Sequence, residues 1–180
     1  MANTWQFVRS TTLHRLGKLT LREDAWLLPD GREHAYPVLH VGLTVGVVPF
    51  VDAGRVLLIR QFRHLARAES WELPGGGGQP GEIPEAAAQR ELREEGGYRA
   101  GRLTFLTRFY PSNAYLDETA YCYIGEDLVA DPLPGDADEF FERRVVSFTE
   151  ALRMALDDRI TESVSKVALL AAALKLRITP

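Results

Sequence analysis

Four consecutive glycines, Gly75 to Gly78, stand just ahead of a segment that ends in three crowded glutamates, Glu91, Glu94 and Glu95. Pro84 suits a first helical position and Gly96-Gly97 a helix stop, so the spacing predicts a glycine-rich turn and then a helix over Pro84 to Glu95. With Glu91 at the origin of the helix wheel, Glu95 falls at about 40° and Glu94 at about 300°. The three carboxylates therefore share a face with Ala87 and Ala88, and Leu92 borders it. Arg90 stands beside Glu94 at i,i+4, while Gln89 and Arg93 point to solvent. The simplest account is a solvated charged face, as in most acidic helices. Two facts oppose it. Like charges at this spacing repel, and the last helical turn is the negative end of the dipole. Arg90 and Arg93 offset this only in part, so a cation is missing. Clustered carboxylate oxygens suit hard divalent ions such as magnesium, or manganese.

The glycines admit other readings. Gly76-x-Gly78-x-x-Gly81 has the form of a dinucleotide-binding turn, but that turn opens directly into a helix between two strands. Here Pro80 and Pro84 interrupt it and the acids lie within the helix. A P-loop fails outright, because no Gly-Lys-Ser/Thr follows.

The rest of the chain bounds the fold. Its 180 residues, 46% hydrophobic and 26% charged, make one ordinary globular domain with at most a short arm. The longest apolar run, Val167 to Leu174, falls far short of the roughly 20 residues that cross a bilayer, so no membrane partner is expected. Met1 to Gln6 carry no secretory pattern, and the lone Cys122, read as a core residue, fits a reducing cytoplasm. A net charge of -4 argues against a broad basic nucleic-acid face. No repeat or histidine metal spacing is present; His14, His34, His40 and His64 are scattered. Lys18 to Leu28 reads as a kinked strand ended by Pro29-Asp30-Gly31. Leu43 to Val51 and Arg55 to Phe62 read as strands joined by a hairpin turn at Asp52-Ala53-Gly54. Further strands are expected over Leu103 to Tyr110, Thr119 to Ile124 and Arg143 to Val146. Ser147 and Glu150 have capping-box spacing for a second helix, to about Asp158. A third runs from about Glu162 to Leu176 with Thr161 as N-cap. Strands and helices without regular alternation predict an α+β fold, an αβα sandwich. Residues 1–40 form a small N-terminal β arm and 41–180 the main domain.

The stretch from Gly76 to Tyr98 resembles the Nudix hydrolase box, G-x5-E-x7-R-E-U-x-E-E-x-G-U, where U is bulky and apolar. Gly76, Glu82, Arg90, Glu91, Leu92, Glu94, Glu95, Gly97 and Tyr98 keep every spacing. Seven fixed letters at roughly 6% each arise by chance on the order of 10⁻⁹ per starting position. The resemblance implies mixed β-sheets in an αβα sandwich and hydrolysis of a nucleoside diphosphate linked to another group. It implies a divalent metal, magnesium or manganese, on Glu91, Glu95, nearby Glu94 and the Gly75 carbonyl. Arg90 would orient the carboxylates, Glu82 would brace the loop, and Gly76 and Gly97 would permit its turns. Arg60-Gln61-Phe62-Arg63 ahead of Glu72-Leu73-Pro74-Gly75-Gly76 is similar to ADP-ribose and nucleotide-sugar pyrophosphatases, where the position of Arg63 contacts the diphosphate. Tyr110-Pro111-Ser112 and Asp117-Glu118 resemble that subfamily's substrate loop, although Ser112-Asn113-Ala114 departs from the usual Ser-Pro-Gly. Asp138-Glu139-Phe140-Phe141-Glu142 resembles a late acidic loop; Glu139 is the candidate general base, with Asp138 and Glu142 as neighbours and Glu94 as the other option. Trp5, Phe7 and Trp26 have two readings, core or stacking on a base. The arm of related enzymes is exchanged across a dimer, which implies a homodimer here. FAD, GDP-mannose, a dinucleoside polyphosphate or a non-catalytic nucleotide sensor are the alternative functions.

Overall fold

The computed structural model describes residues 4–17, 19–135 and 139–179. Met1 to Asn3, Lys18 and Asp138, which enter the expectations above, lie outside the described residues. The chain divides into two compact units: residues 1–42 with 110–119, and residues 43–109 with 120–180.

In the first unit β1 (Gln6–Leu16), β2 (Leu19–Leu27) and β3 (Glu33–His40) form an antiparallel meander. It buries little of its own apolar surface. Trp5 and Phe7 remain 54% and 55% exposed, so neither is a core residue of the single chain. Phe7 instead meets Trp26 edge-on at 5.4 Å, and Trp5 lies 6.3 Å from Tyr36. The segment 110–119 is stapled to the end of β3 by Asp117. Its carboxylate accepts from the backbone N–H groups of Val41 at 2.8 Å and Gly42 at 3.2 Å, and from Arg22 at 2.7 Å. Partial burial pushes the Asp117 acid up, but His40, these backbone donors and Arg22 outweigh it and bring it down to about 2.

The second unit holds β4 (Leu43–Pro49), β5 (Arg55–Arg63), β6 (Ala68–Glu72), β7 (Gly75–Gly77), α1 (Pro84–Glu91), β8 (Tyr98–Phe109), β9 (Thr119–Ala130), β10 (Glu142–Ser147), α2 (Phe148–Leu156) and α3 (Ser163–Leu176). The strands make two sheets, ordered β7-β4-β9-β8 and β10-β5-β6. Strand periodicity explains the layering. Val45 and Val47 of β4 pack on Ala87, Ala88 and Leu92, while Val48 joins a second core with Phe148 and Leu152 of α2 and Leu169 of α3. One strand thus has helices on both faces, and the αβα sandwich follows.

Three local expectations change. Asp52-Ala53-Gly54 does not close a regular hairpin. A single bridge, Phe50 to Val56, and the Val51 N–H to the Arg55 carbonyl tie its ends, after which β4 and β5 part into different sheets. Val48 of β4 and Val56 and Leu58 of β5 still meet in one core, but the two strands take their hydrogen-bond partners in different sheets. The third helix is capped by Glu162, not Thr161: its carboxylate accepts from the N–H groups of Val164 and Ser165. The glycine run is a strand as well. Gly75 to Gly77 pair with Gly46 to Thr44. Ser147 caps α2 as its spacing implies, accepting from the Glu150 N–H at 3.1 Å.

Candidate active site

The acidic helix is not a solvated face. Glu91 and Glu95 are only 8% and 3% exposed. The helix is α only as far as Glu91. Leu92–Gly96 then widen into a π turn, closed by the Gly97 N–H on the Leu92 carbonyl. Gly97 ends it at φ +79°, a left-handed conformation that disfavours a side chain. The expected α wheel therefore stops short of Glu94 and Glu95.

Arg90 organises the cluster. Its Nε and Nη2 donate to the two oxygens of Glu82 at 3.1 and 3.0 Å. Nη1 donates to Glu91 at 2.7 Å and Glu94 at 2.9 Å, and Nη2 also reaches the Gly77 carbonyl at 2.8 Å. The guanidinium's five N–H groups are thereby matched to three carboxylates and one carbonyl. Glu82 accepts in addition from the Gln79 N–H at 2.9 Å, which braces the loop. Each of Glu91 and Glu94 engages Arg90 through one oxygen and keeps a second for another partner.

Glu95 is held differently, accepting from the Gly75 N–H at 2.7 Å. Burial raises its pKa well above the ordinary range, Glu91 and Glu139 add to the rise, and the Gly75 hydrogen bond and Arg63 oppose it. Glu91 is raised too, chiefly by burial and against the pull of Arg90. Gly76 has a reason distinct from the expected turn. A Cβ there would stand 2.8 Å from a Glu91 carboxylate oxygen, so only glycine lets the acid lie against β7.

The second sheet supplies the surroundings. β10, β5 and β6 place Arg143 opposite Ile59 and Ile59 opposite Glu72, so the three share a face, with Gln61 and Arg63 further along β5. Glu72 is buried and receives Arg63 Nε at 2.9 Å and Gln61 at 3.2 Å. Arg143 Nε donates to the Glu95 carbonyl at 2.5 Å and Nη2 to that of Glu94 at 3.3 Å. Glu139 lines two adjoining cavities. One, of about 480 Å³, includes Arg63 and Phe140; the other, of about 340 Å³, includes Glu94 and Arg143.

The chain matches the family description "NUDIX domain" over residues 40–166. It belongs to the Nudix family. An ADP-ribose pyrophosphatase of Bacillus subtilis (strain 168) is 31% identical over 79% of this chain and 78% of its own length. Another, from Mycobacterium tuberculosis (strain ATCC 25618 / H37Rv), is 29% identical over 93% of this chain and 82% of its own. A solved structure described as an ADP compounds hydrolase superposes with a TM-score of 0.83 at 24% identity, over 96% of this chain and 94% of that one, which supports the fold. The protein is a Nudix pyrophosphohydrolase.

Within this Nudix unit the structure brings together Gly75, Glu82, Arg90, Glu91, Glu94 and Glu95, with Arg63 and Glu139 within electrostatic reach of Glu95. Among the described residues no three His, Cys, Asp or Glu side chains converge as a ready metal cage; Glu91 and Glu94 share Arg90 Nη1, and Glu95 is held by the Gly75 N–H. Trp5, Ser112 and Glu118 belong to the other unit. Two expected solvent residues turn out to be tied down. Gln89 exchanges two hydrogen bonds with the backbone of Ala100 on the outer edge of β8, and Arg93 binds Asp131. Glu72 and Arg143 were missed as site residues. The signal for Glu72 is hairpin register: an acid on β6 on the same face as Arg63 on β5. Arg143 has no local signal, since its partners lie 48 and 49 positions away.

Proposed function

We propose that this Nudix enzyme hydrolyses ADP-ribose, or a similar nucleoside diphosphate sugar, to a nucleoside monophosphate and a sugar phosphate, using magnesium or manganese. The observation that carries the reading is a pair of buried carboxylates, Glu91 and Glu95, both driven toward protonation by burial. Groups that costly to ionise alone are suited to a cation, and their hard oxygens fit a small divalent ion. Glu91, Glu95 and the Gly75 carbonyl would hold it, with Glu94 beside them. Such an ion supplies neutralisation of the diphosphate and an acidified water.

The chain's own residues do the rest. Arg90 keeps Glu91 and Glu94 oriented through one guanidinium. Arg63, anchored by Glu72, offers a fixed cation to the diphosphate. Glu139 takes the proton of the attacking water, because a carboxylate that is not a metal ligand keeps its basicity. Trp5, Ser112 and Glu118 contribute substrate contacts. The arm, residues 1–40, completes a homodimer through apolar residues it leaves exposed, among them Phe7, Leu13 and Leu16. No helix among the described residues is long and apolar enough to cross a membrane, and the buried thiol of Cys122 suits the cytoplasm.

The test is a panel of ADP-ribose, FAD, GDP-mannose and a dinucleoside polyphosphate with magnesium, with products resolved by chromatography. ADP-ribose should give the highest kcat/KM, releasing AMP and ribose 5-phosphate, and chelation should abolish turnover. Preference for another member of the panel, or turnover indifferent to chelator, overturns the substrate or the metal respectively.

A further inference from the structure

The end of an α or π helix leaves carbonyls without intrahelical partners, and they need donors. Here the donors stand on either side of Glu139: residues 131–133, just after β9, and Arg143 in β10. The Asp131 N–H binds the Gly97 carbonyl and the Leu133 N–H binds the Arg93 carbonyl, both at 3.1 Å. Arg93 returns the contact, its guanidinium donating to the carbonyl and carboxylate of Asp131 at 3.1 and 3.2 Å. Arg143, the second residue of β10, takes two more, the carbonyls of Glu94 and Glu95. Asp131, Leu133 and Arg143 thus all bind the turn that carries the acidic box. Arg143 lies four residues after Glu139, and the two line one cavity together with Glu94. Its position is itself fixed, because β10 pairs Arg143 with the fully buried Ile59.

We propose that Arg143 is a positioning residue for hydrolysis: by clamping the Glu94 and Glu95 carbonyls it holds Glu139, four residues ahead of it, at a set distance from the box. A guanidinium suits this task, since its planar fork spans two carbonyls and its charge meets the negative end of the helix. The inference rests on the assignment of Glu139 as general base.

The experiment is a double-mutant cycle on the full-length enzyme with ADP-ribose and saturating magnesium, using Arg143→Gln, Glu139→Gln and the pair. Arg143→Gln should lower kcat by roughly 10²-fold, the size of effect expected for an ångström of misplacement, and leave KM unchanged. In the Glu139→Gln background the same change should cost almost nothing further, because the group it positions is gone. Arg143→Lys, which keeps the charge and loses the fork, should show the same dependence with a smaller loss, and it covers the case in which the glutamine variant folds poorly. Hydrogen exchange should rise in a peptide spanning residues 139–142 and stay unchanged in α2. If Glu139→Gln is impaired but the two losses multiply, or if Arg143→Gln and Arg143→Lys both turn over at the wild-type rate, the clamp is wrong and the base stands. If Glu139→Gln keeps full turnover, the base assignment fails, and the clamp as a device acting through Glu139 fails with it.

Discussion

At the residue scale the site is a set of acids whose charges the fold makes costly. Glu95 is the extreme case. Because burial raises its pKa above the ordinary 4.5, the folded metal-free protein keeps this proton to a higher pH than the unfolded chain does. Its ionisation therefore opposes folding at neutral pH, and the penalty fades as pH falls through the raised pKa toward 4.5. Glu95→Gln keeps the shape and can still accept from the Gly75 N–H. It should raise the melting temperature of the chelated protein at pH 7, with the advantage disappearing in acid. The same variant should lose more than roughly 10²-fold in turnover, beyond the loss from removing an outer-shell partner of a metal. A metal-free melting temperature below wild type at pH 7 would contradict the first half, and near-normal turnover the second. Gly76 makes a separate point. Gly76→Ala puts a methyl 2.8 Å from Glu91, so the carboxylate must move. We expect a weaker magnesium midpoint in a turnover titration and a stability cost of about 1–3 kcal/mol, the usual range for overpacking. Unaltered magnesium dependence would show that Glu91 does not need its seat against β7.

At the element scale the decisive feature is the π turn. A helix that stayed α to Glu95 would leave its terminal carbonyls differently placed, and Asp131, Leu133 and Arg143 meet them as they stand. The apparent rule-breaking of three glutamates at the negative end of a helix is offset in part by two protein cations. Arg90 pairs with the Glu91 and Glu94 side chains and Arg143 caps the Glu94 and Glu95 carbonyls, while the Glu95 carboxylate accepts from the Gly75 N–H. Asp117 is the matching staple in the other unit. Folding lowers this acid from the usual 3.8 to about 2, so its contribution to stability is complete above pH 3.8 and is lost as pH falls through about 2. Asp117→Asn should cost about 1 kcal/mol at pH 7, as the loss of charge-assisted hydrogen bonds to a partly exposed group. The two melting curves should converge near pH 2. Curves that stay parallel from pH 7 to pH 2 would mean that Asp117 titrates normally.

At the scale of the whole molecule, the arm is an incomplete structure by itself. Every residue of β1 is exposed, and Leu16 is 70% accessible. Deleting residues 1–40 should yield a monomer or an aggregate on sedimentation and a strongly raised KM for ADP-ribose; a truncated dimer with unchanged KM would remove the arm from the site. Much of the rest was legible in the chain. Helical spacing set Arg90 beside Glu94, Ser147 marked the start of α2, and strands mixed irregularly with helices announced the αβα sandwich. These are local properties, set by helical pitch, capping chemistry and alternation within a few residues. Tertiary structure decided the remainder. The glycine run became a strand because β4 was there to pair with it. Gln89 and Arg93 turned inward because β8 and Asp131 presented unsatisfied partners. Arg143 entered the site because β5 carries β10 alongside the π turn. Short-range geometry can be read from the order of residues, whereas a hydrogen bond between groups 48 positions apart exists only once the sheets have set its ends together.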